Sequence, residues 1–222
     1  MIKYALFDLD GTVTDPGEGI VNSIIRALDK MNFKDYRREE LTEFIGPPLL
    51  DSFRDFCGFS PEDCRQALKY YREYYAEKGI FENKVYDGIP EALERLKKLD
   101  YKIIMATSKP EPYALKILGH FGLSGYFDAV AGSDMSEARS RKDEVIAYAI
   151  ERDGIIPENA VMIGDRSYDV IGANAEGIPS VGVLYGYGTR EELINAGACW
   201  LAESPSHVAD IFEALVYTRF IG

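Results

Sequence analysis

The sequence predicts an α/β protein, a parallel sheet flanked by helices with an all-helical insertion after the first strand. Three observations carry this. Short apolar runs, Tyr4-Ala5-Leu6-Phe7, Lys102-Ile103-Ile104-Met105-Ala106-Thr107 and Ala160-Val161-Met162-Ile163-Gly164, each stop at chemistry-bearing residues. From residue 85 onward, segments of helical periodicity alternate with such runs. Between the first run and the second, residues 16–81 carry only helical spacing and helix signals.

Tyr4-Ala5-Leu6-Phe7 reads as a buried strand, led in by Met1-Ile2-Lys3 and stopped at Gly11. Side chains alternate along a strand, so Asp8 and Asp10 are expected to point the same way if the extended backbone persists. After Thr12, the residues Ile20, Ile24, Ala27, Leu28 and Met31 recur at helical spacing. A polar stretch around Asp35-Tyr36-Arg37-Arg38 breaks that pattern. Phe44-Ile45-Gly46-Pro47-Pro48-Leu49 is a rigid interruption, because Pro-Pro cannot continue a helix from within. Ser60-Pro61-Glu62-Asp63 combines an N-cap, a proline at the first helical position and acids behind it. The helix it opens carries Leu68, Tyr71 and Tyr75 on one face, read as packing between helices.

Tyr86-Asp87-Gly88-Ile89-Pro90 is a turn, and Pro90 opens a helix with Leu93, Leu96 and Leu99. After the strand Lys102–Thr107 comes a helix from Pro110 through Ala114, Ile117 and Leu118, then a short strand, Ala129-Val130-Ala131-Gly132. A helix around Val145, Ile146 and Ala149 precedes the strand that ends at Asp165. A helix through Val170, Ile171 and Ala173 leads to the strand Pro179-Ser180-Val181-Gly182-Val183. Cys199-Trp200-Leu201 is a candidate sixth strand, and a last helix runs from about Pro205 to Tyr217.

The 222 residues suffice for one large domain or two unequal ones. No apolar stretch is long enough to cross a membrane, and the start lacks a signal-peptide pattern. The scattered cysteines Cys57, Cys64 and Cys199 suit free thiols in a reducing cytoplasm. Only two histidines are present and Cys57 and Cys64 are spaced unlike a zinc knuckle, so a zinc site is not expected. A net charge of -12 disfavours a nucleic-acid polymer as partner. A small phosphorylated substrate is compatible with it, since one metal ion and one lysine reverse the field locally.

In open parallel sheets, ligands bind outside the carboxyl ends of the strands. The first strand delivers Asp8 and Asp10 there, the second Thr107, Ser108 and Lys109, and the fourth Asp165, with Asp169 four residues on. Ser140-Arg141-Lys142-Asp143 adds cations just before a helix. Singly, each feature has a bland reading. Asp-x-Asp-Gly is also a turn with solvated acids, Thr107 a strand-end hydroxyl, Lys142 a solvated lysine, and Asp169 an acid in a first helical turn. Lys109 and Arg166 are site residues or mere counter-charges. Together, four acids with a hydroxyl and a lysine fit a hard cation such as Mg²⁺ plus a phosphoryl group. Gly186-Tyr187-Gly188 reads as a flexible loop and not a dinucleotide fingerprint. His120 and His207 are assigned no role.

On these motifs the chain resembles a phosphatase of the haloacid dehalogenase superfamily, in its helical-cap (C1) subgroup. Asp8-Leu9-Asp10-Gly11-Thr12 matches the first motif, Thr107 the second, Lys142 the third, and Gly164-Asp165 with Asp169 the fourth. Within the superfamily it is most similar to phosphoglycolate phosphatases and bacterial 5′-nucleotidase-like members. Its second motif reads Thr-Ser-Lys-Pro, where many phosphoglycolate phosphatases have Asn at the position of Ser108.

The resemblance implies a Rossmann-like core of residues 1–15 and 82–222 and a cap of residues 16–81. It implies that Asp8 is the nucleophile and that Asp10 is general acid, then general base. It implies Mg²⁺ held by Asp8, the Asp10 carbonyl and Asp165, with Asp169 in support. Thr107 then binds a phosphoryl oxygen with Ser108 beside it, and Lys142 neutralises the phosphoryl charge. Gly46-Pro47-Pro48-Leu49 resembles a cap specificity loop, which brings Gly46 and Pro47 to the substrate; a plain helix corner is the other reading. Asp10 argues against a dehalogenase, since a halide leaves without a proton. The implied activity is Mg²⁺-dependent hydrolysis of a small phosphomonoester, such as phosphoglycolate or a 5′-nucleotide. Pyrophosphate hydrolysis, a sugar-phosphate phosphatase or mutase, and a non-catalytic binding protein with a relict site are the alternatives. The expected setting is a cytoplasmic monomer or small homo-oligomer with no membrane partner.

Overall fold

The computed structural model describes residues 2–136 and 139–217; Met1, expected to lead into the first strand, lies outside the described residues. The elements begin with β1 (Tyr4–Phe7), β2 (Thr14–Asp15), α1 (Gly17–Lys30), α2 (Leu49–Cys57), α3 (Pro61–Glu77) and β3 (Lys84–Val85). They continue with α4 (Ile89–Lys98), β4 (Lys102–Pro110), α5 (Glu111–His120), β5 (Ala129–Ser133), α6 (Lys142–Asp153) and β6 (Ala160–Gly164). The chain closes with α7 (Ser167–Ala175), β7 (Ser180–Val183), α8 (Arg190–Ala196), β8 (Trp200–Ala202) and α9 (Pro205–Tyr217). It divides into two compact units. One runs to Thr14 and resumes at Val85, and the other is Asp15–Lys84.

The first unit is a six-stranded sheet in the order β5-β4-β1-β6-β7-β8, with every pair parallel. The strand order reverses between β1 and β6, so the ligand crevice of such a sheet lies at their carboxyl ends. Phe7 stands opposite both Met105 and Ile163, and the Asp8 N–H donates to Ile163 O at 2.9 Å. The residues that follow β1 and β6 therefore leave the sheet at one level. The central strands are buried on both faces, which is why they read as continuous apolar runs instead of alternating ones. Leu6, Ile104 and Met162 form a core with Val145, Ile146 and Ala149 of α6 and Ala173 of α7.

The expected helix through Val170, Ile171 and Ala173 is α7; its buried stripe is Val170 and Ala173, three residues apart, and Ile171, 56% exposed, turns outward. One local expectation needs correction: the second strand runs past Thr107 to Pro110, with a shift of register between those two residues.

The second unit is helical. α1 buries Ile20, Ile24, Ala27 and Leu28. A 3₁₀ segment, Arg38–Phe44, follows the polar stretch. α2 starts directly after Pro48 and stops at Gly58, whose φ of +67° suits glycine. Its Phe53 is fully buried against Phe44, ring centroids 5.4 Å apart. Ser60 caps α3 by accepting the Asp63 N–H at 3.2 Å, with Pro61 at the first helical position. Tyr71 and Tyr75 are buried on α3 and stack at 5.3 Å. Where the chain crosses between units, β2 and β3 pair as a two-stranded ribbon. No described helix is long and apolar enough to cross a membrane.

Candidate active site

β1 stops at Phe7, and Asp8 is the first residue beyond it. Lys142 is the first residue of α6, and its side chain is only 4% exposed. Its Nζ donates to Asp8 Oδ1 at 2.6 Å and to Ala106 O at 3.0 Å, and pairs with Asp169 Oδ1 at 2.8 Å. Three acceptors thus meet the three hydrogens of one ammonium. Burial works against that charge, but Asp169 and Asp8 outweigh it and raise the lysine pKa.

Asp165 follows β6 and is fully buried. Its Oδ2 accepts the Tyr187 N–H at 2.8 Å, and its Oδ1 accepts the Thr12 hydroxyl at 3.4 Å. Burial pushes this carboxyl well above the usual carboxylate range, and the charges of Asp169 and Asp8 add to the push. Asp169 sits in the first turn of α7, where its Oδ2 accepts the Arg166 N–H at 3.0 Å. It is therefore a first-turn acid and a partner of Lys142 at once. Burial raises its pKa as well.

Asp8, Asp165 and Asp169 each offer an oxygen, and these ligand atoms all lie within 4.8 Å of one another. The set consists of hard oxygen donors with no nitrogen or sulfur, the preference of Mg²⁺ rather than of zinc. Burial and the charge of Asp8 both raise the Asp165 and Asp169 carboxyls, and a divalent cation held among them would relieve that crowding. The residues present fit a divalent ion.

Asp10 takes a different partner. Lys109 Nζ lies 2.6 Å from Asp10 Oδ2, and both side chains are largely buried. Asp10 Oδ1 is buried with no hydrogen-bond partner among the described residues. Burial raises the Asp10 pKa; Lys109 pulls it down and the nearby charge of Asp8 lifts it. Thr107 is buried, its hydroxyl oxygen accepting the Lys109 N–H at 3.2 Å, and Ser108 is half-buried beside it. Arg166 turns its guanidinium to Glu192 Oε1 at 3.0 Å. Gly46 and Pro47 belong to the helical unit, where Gly46 is exposed with φ of +110° just ahead of α2.

The loop Gly186-Tyr187-Gly188 is not the loose segment expected from sequence. It packs on Asp165 and donates the Tyr187 N–H to it. A Cβ at Gly186 would overlap Gly11 O and come within 2.6 Å of Asp165 Oδ2. Tyr185, in the same loop, donates its hydroxyl to Thr12 O at 3.1 Å and stacks edge-on to Tyr86. Two glycines flanking one residue after a strand were the legible sign of close backbone approach.

A doubly wound sheet with acids at its switch point and a lysine bridging two of them is an arrangement suited to holding a cation and an anionic group. Residues 5–183 match the family model described as Haloacid dehalogenase-like hydrolase, and the chain belongs to that family. It is an enzyme of the family's phosphatase class. A 5′-nucleotidase from Pseudomonas aeruginosa is 40% identical over 210 residues, covering 95% of this chain and 92% of that protein. The tyrosine-protein kinase PtkA of Mycobacterium tuberculosis is 37% identical over 213 residues, covering 96% of this chain and 72% of that protein. Among solved structures, one described as a predicted phosphatase from Clostridium acetobutylicum aligns with a TM-score of 0.94 at 45% identity, covering 96% of this chain and 99% of that one.

Proposed function

We propose that this enzyme hydrolyses the phosphate monoester of a small metabolite through a phosphoaspartate at Asp8, with Mg²⁺ as cofactor. The observation that carries the reading is the Lys142 ammonium held between Asp8 and Asp169, which cluster with Asp165 as three buried carboxylates.

Asp8, the Asp10 carbonyl and Asp165 would hold Mg²⁺, with Asp169 in support. The ion supplies the positive charge that lets a phosphoryl dianion approach an anionic nucleophile. An Asp8 oxygen bonds to phosphorus as the ester P–O bond breaks, and Asp10 gives its proton to the leaving oxygen. Asp10 then takes a proton from the water that attacks phosphorus, and the bond to Asp8 breaks. Lys142 neutralises charge on the phosphoryl group, and the Thr107 hydroxyl, with Ser108 beside it, binds a phosphoryl oxygen. Residues 16–81 act as the cap, with Gly46 and Pro47 in its specificity loop.

A 5′-nucleotide is the leading substrate and phosphoglycolate the second. The name of the Pseudomonas aeruginosa relative favours the first, and Ser108 in the second motif counts against the other. The test is phosphate release from nucleoside 5′-monophosphates, phosphoglycolate, pyrophosphate and sugar phosphates, with and without Mg²⁺, ranked by kcat/KM. The expected result is magnesium-dependent release, highest from a nucleotide. No release from any of them with Mg²⁺ present would favour a binding protein with a relict site.

A further inference from the structure

We propose that Lys109 is the positioning residue for Asp10, holding it by one carboxyl oxygen so that the other is presented to the reacting oxygen. This rests on the phosphatase reading above and gives a task to a residue that reading does not use.

The local fold is built to aim Lys109. β4 pairs Thr107 with Gly132 and then Pro110 with Ser133, so Ser108 and Lys109 fall in the gap of register. Such a bulge re-aims a side chain that a regular strand would send elsewhere. The Lys109 N–H closes the gap by donating to the Thr107 hydroxyl oxygen at 3.2 Å. Gly132 makes room beneath it, since a Cβ there would stand 2.6 Å from the Glu111 Cα and 2.7 Å from Lys109 O.

The bulge delivers a lysine whose side chain is only 6% exposed. A buried ammonium is costly unless paired, and its partner is Asp10 Oδ2 at 2.6 Å. Lys142 is not a substitute, because its hydrogens go to Asp8, Asp169 and Ala106 O. The second observation is on Asp10 itself: Oδ1 is buried and has no hydrogen-bond partner among the described residues. A buried carboxyl oxygen without a partner calls for an explanation, and a reacting group that enters the site is one.

Lys109 has hydrogens only to give, so it fixes Oδ2 as an acceptor and leaves Oδ1 for proton transfer. In the first step the proton on Oδ1 passes to the leaving oxygen as the ester P–O bond breaks. In the second, Oδ1 takes a proton from water as the water oxygen bonds to phosphorus and the Asp8–phosphorus bond breaks. Lys109 keeps its own protons throughout.

The test uses Lys109→Met, Lys109→Gln and Lys109→Arg in the full chain with Mg²⁺. Each is assayed on a nucleoside 5′-monophosphate, whose alkoxide leaving group needs a proton, and on nitrophenyl phosphate, whose leaving group does not. For the methionine variant, kcat on the nucleotide should fall about a hundredfold with KM within about threefold. The rate of its first nitrophenol burst should stay within about threefold of wild type, and arginine should restore much of the nucleotide rate. Thermal melting checks the fold. Should the methionine variant not fold, glutamine carries the test, with an expected fall of about tenfold on the nucleotide alone. A loss in the rate of the nitrophenol burst equal to the loss in kcat on the nucleotide would mean that Lys109 acts on the phosphoryl group and would overturn the proposal. Unchanged rates on both would overturn it too. A wild-type protein that releases phosphate from neither substrate would instead sink the phosphatase reading, and this proposal with it.

Discussion

The Asp169 carboxyl lies where a side chain on Gly164 would begin, so the last residue of β6 and the first turn of α7 are fitted to each other at one point. Replacing Gly164 with Ala puts a Cβ onto Asp169 Cγ, and β6 sits between β1 and β7 with little freedom to retreat. The expected cost is about 1–3 kcal/mol of stability, as for other overpacked cores. Urea denaturation measures it, and an unchanged midpoint would show that strand and helix can part here.

The two aspartates of the first loop should fail differently. On the proposed mechanism, Asp8→Asn removes the nucleophile, so no phosphoenzyme should form with any substrate. Asp10→Asn keeps the nucleophile and loses the acid and base, so an alkyl phosphate stalls in the first step. With nitrophenyl phosphate it should release about one nitrophenol per site and then stop, with phosphate retained on Asp8. Steady turnover of both substrates by Asp10→Asn would assign the proton transfers to another group.

If Asp165 holds Mg²⁺ as proposed, Mg²⁺ affinity should depend on the loop that touches that residue. Gly186→Ala drives a methyl group toward Asp165 Oδ2 and Gly11 O, and disturbing a group that orients a metal ligand weakens binding about 10–100-fold. Calorimetric titration of Mg²⁺ without substrate reads this directly. Chelator should abolish turnover of the unaltered enzyme.

Acid stability should trace in part to Asp128. Burial would lift this carboxyl, but hydrogen bonds from Lys97 Nζ at 2.6 Å, Ile103 N–H at 2.9 Å and Lys102 Nζ at 3.3 Å outweigh it and hold the pKa below its ordinary value of 3.8. A depressed pKa stabilises the fold above the ordinary value and loses that contribution as pH falls through the lower one. Asp128→Ala should cost about 2 kcal/mol at neutral pH. Melting temperature should then fall less steeply below about pH 4 than in the unaltered protein.

The thiols should separate by reactivity. Burial, with the neighbouring Cys64, pushes Cys57 up to about 11, whereas Cys199 is exposed. The thiolate is the reacting form, so at pH 8 iodoacetamide should modify Cys199 first and leave Cys57 until the protein is unfolded. Peptide mapping of the alkylated chain distinguishes them.

The sheet was legible because parallel strands covered on both faces must be apolar at every position, and Tyr4–Phe7 and Ala160–Gly164 are. Asp8 and Asp165 stood out because charge appears where those runs stop. Lys109 was left undecided because its aim is set by a register gap against β5, a property of two strands that neither segment displays alone. Tyr187 was invisible because it contributes a backbone N–H, which any residue but proline could supply. α2 was not separated from its surroundings because it is only nine residues long and follows directly on Pro48. The outward turn of Ile171 depends on which face of α7 meets the sheet, and two adjacent apolar residues do not say.

Thr14–Asp15 and Lys84–Val85 lie bonded side by side, so the helical segment leaves and rejoins the first unit at one point. To the rest of the chain it is a long loop whose ends already meet, and the closure entropy of such a loop grows only slowly with its length. A different segment, longer or shorter, could be spliced at the same ribbon without moving Asp8, Lys142 or Asp165. The proposed site residues and the inserted helices thus lie on separate stretches of backbone that meet at this ribbon.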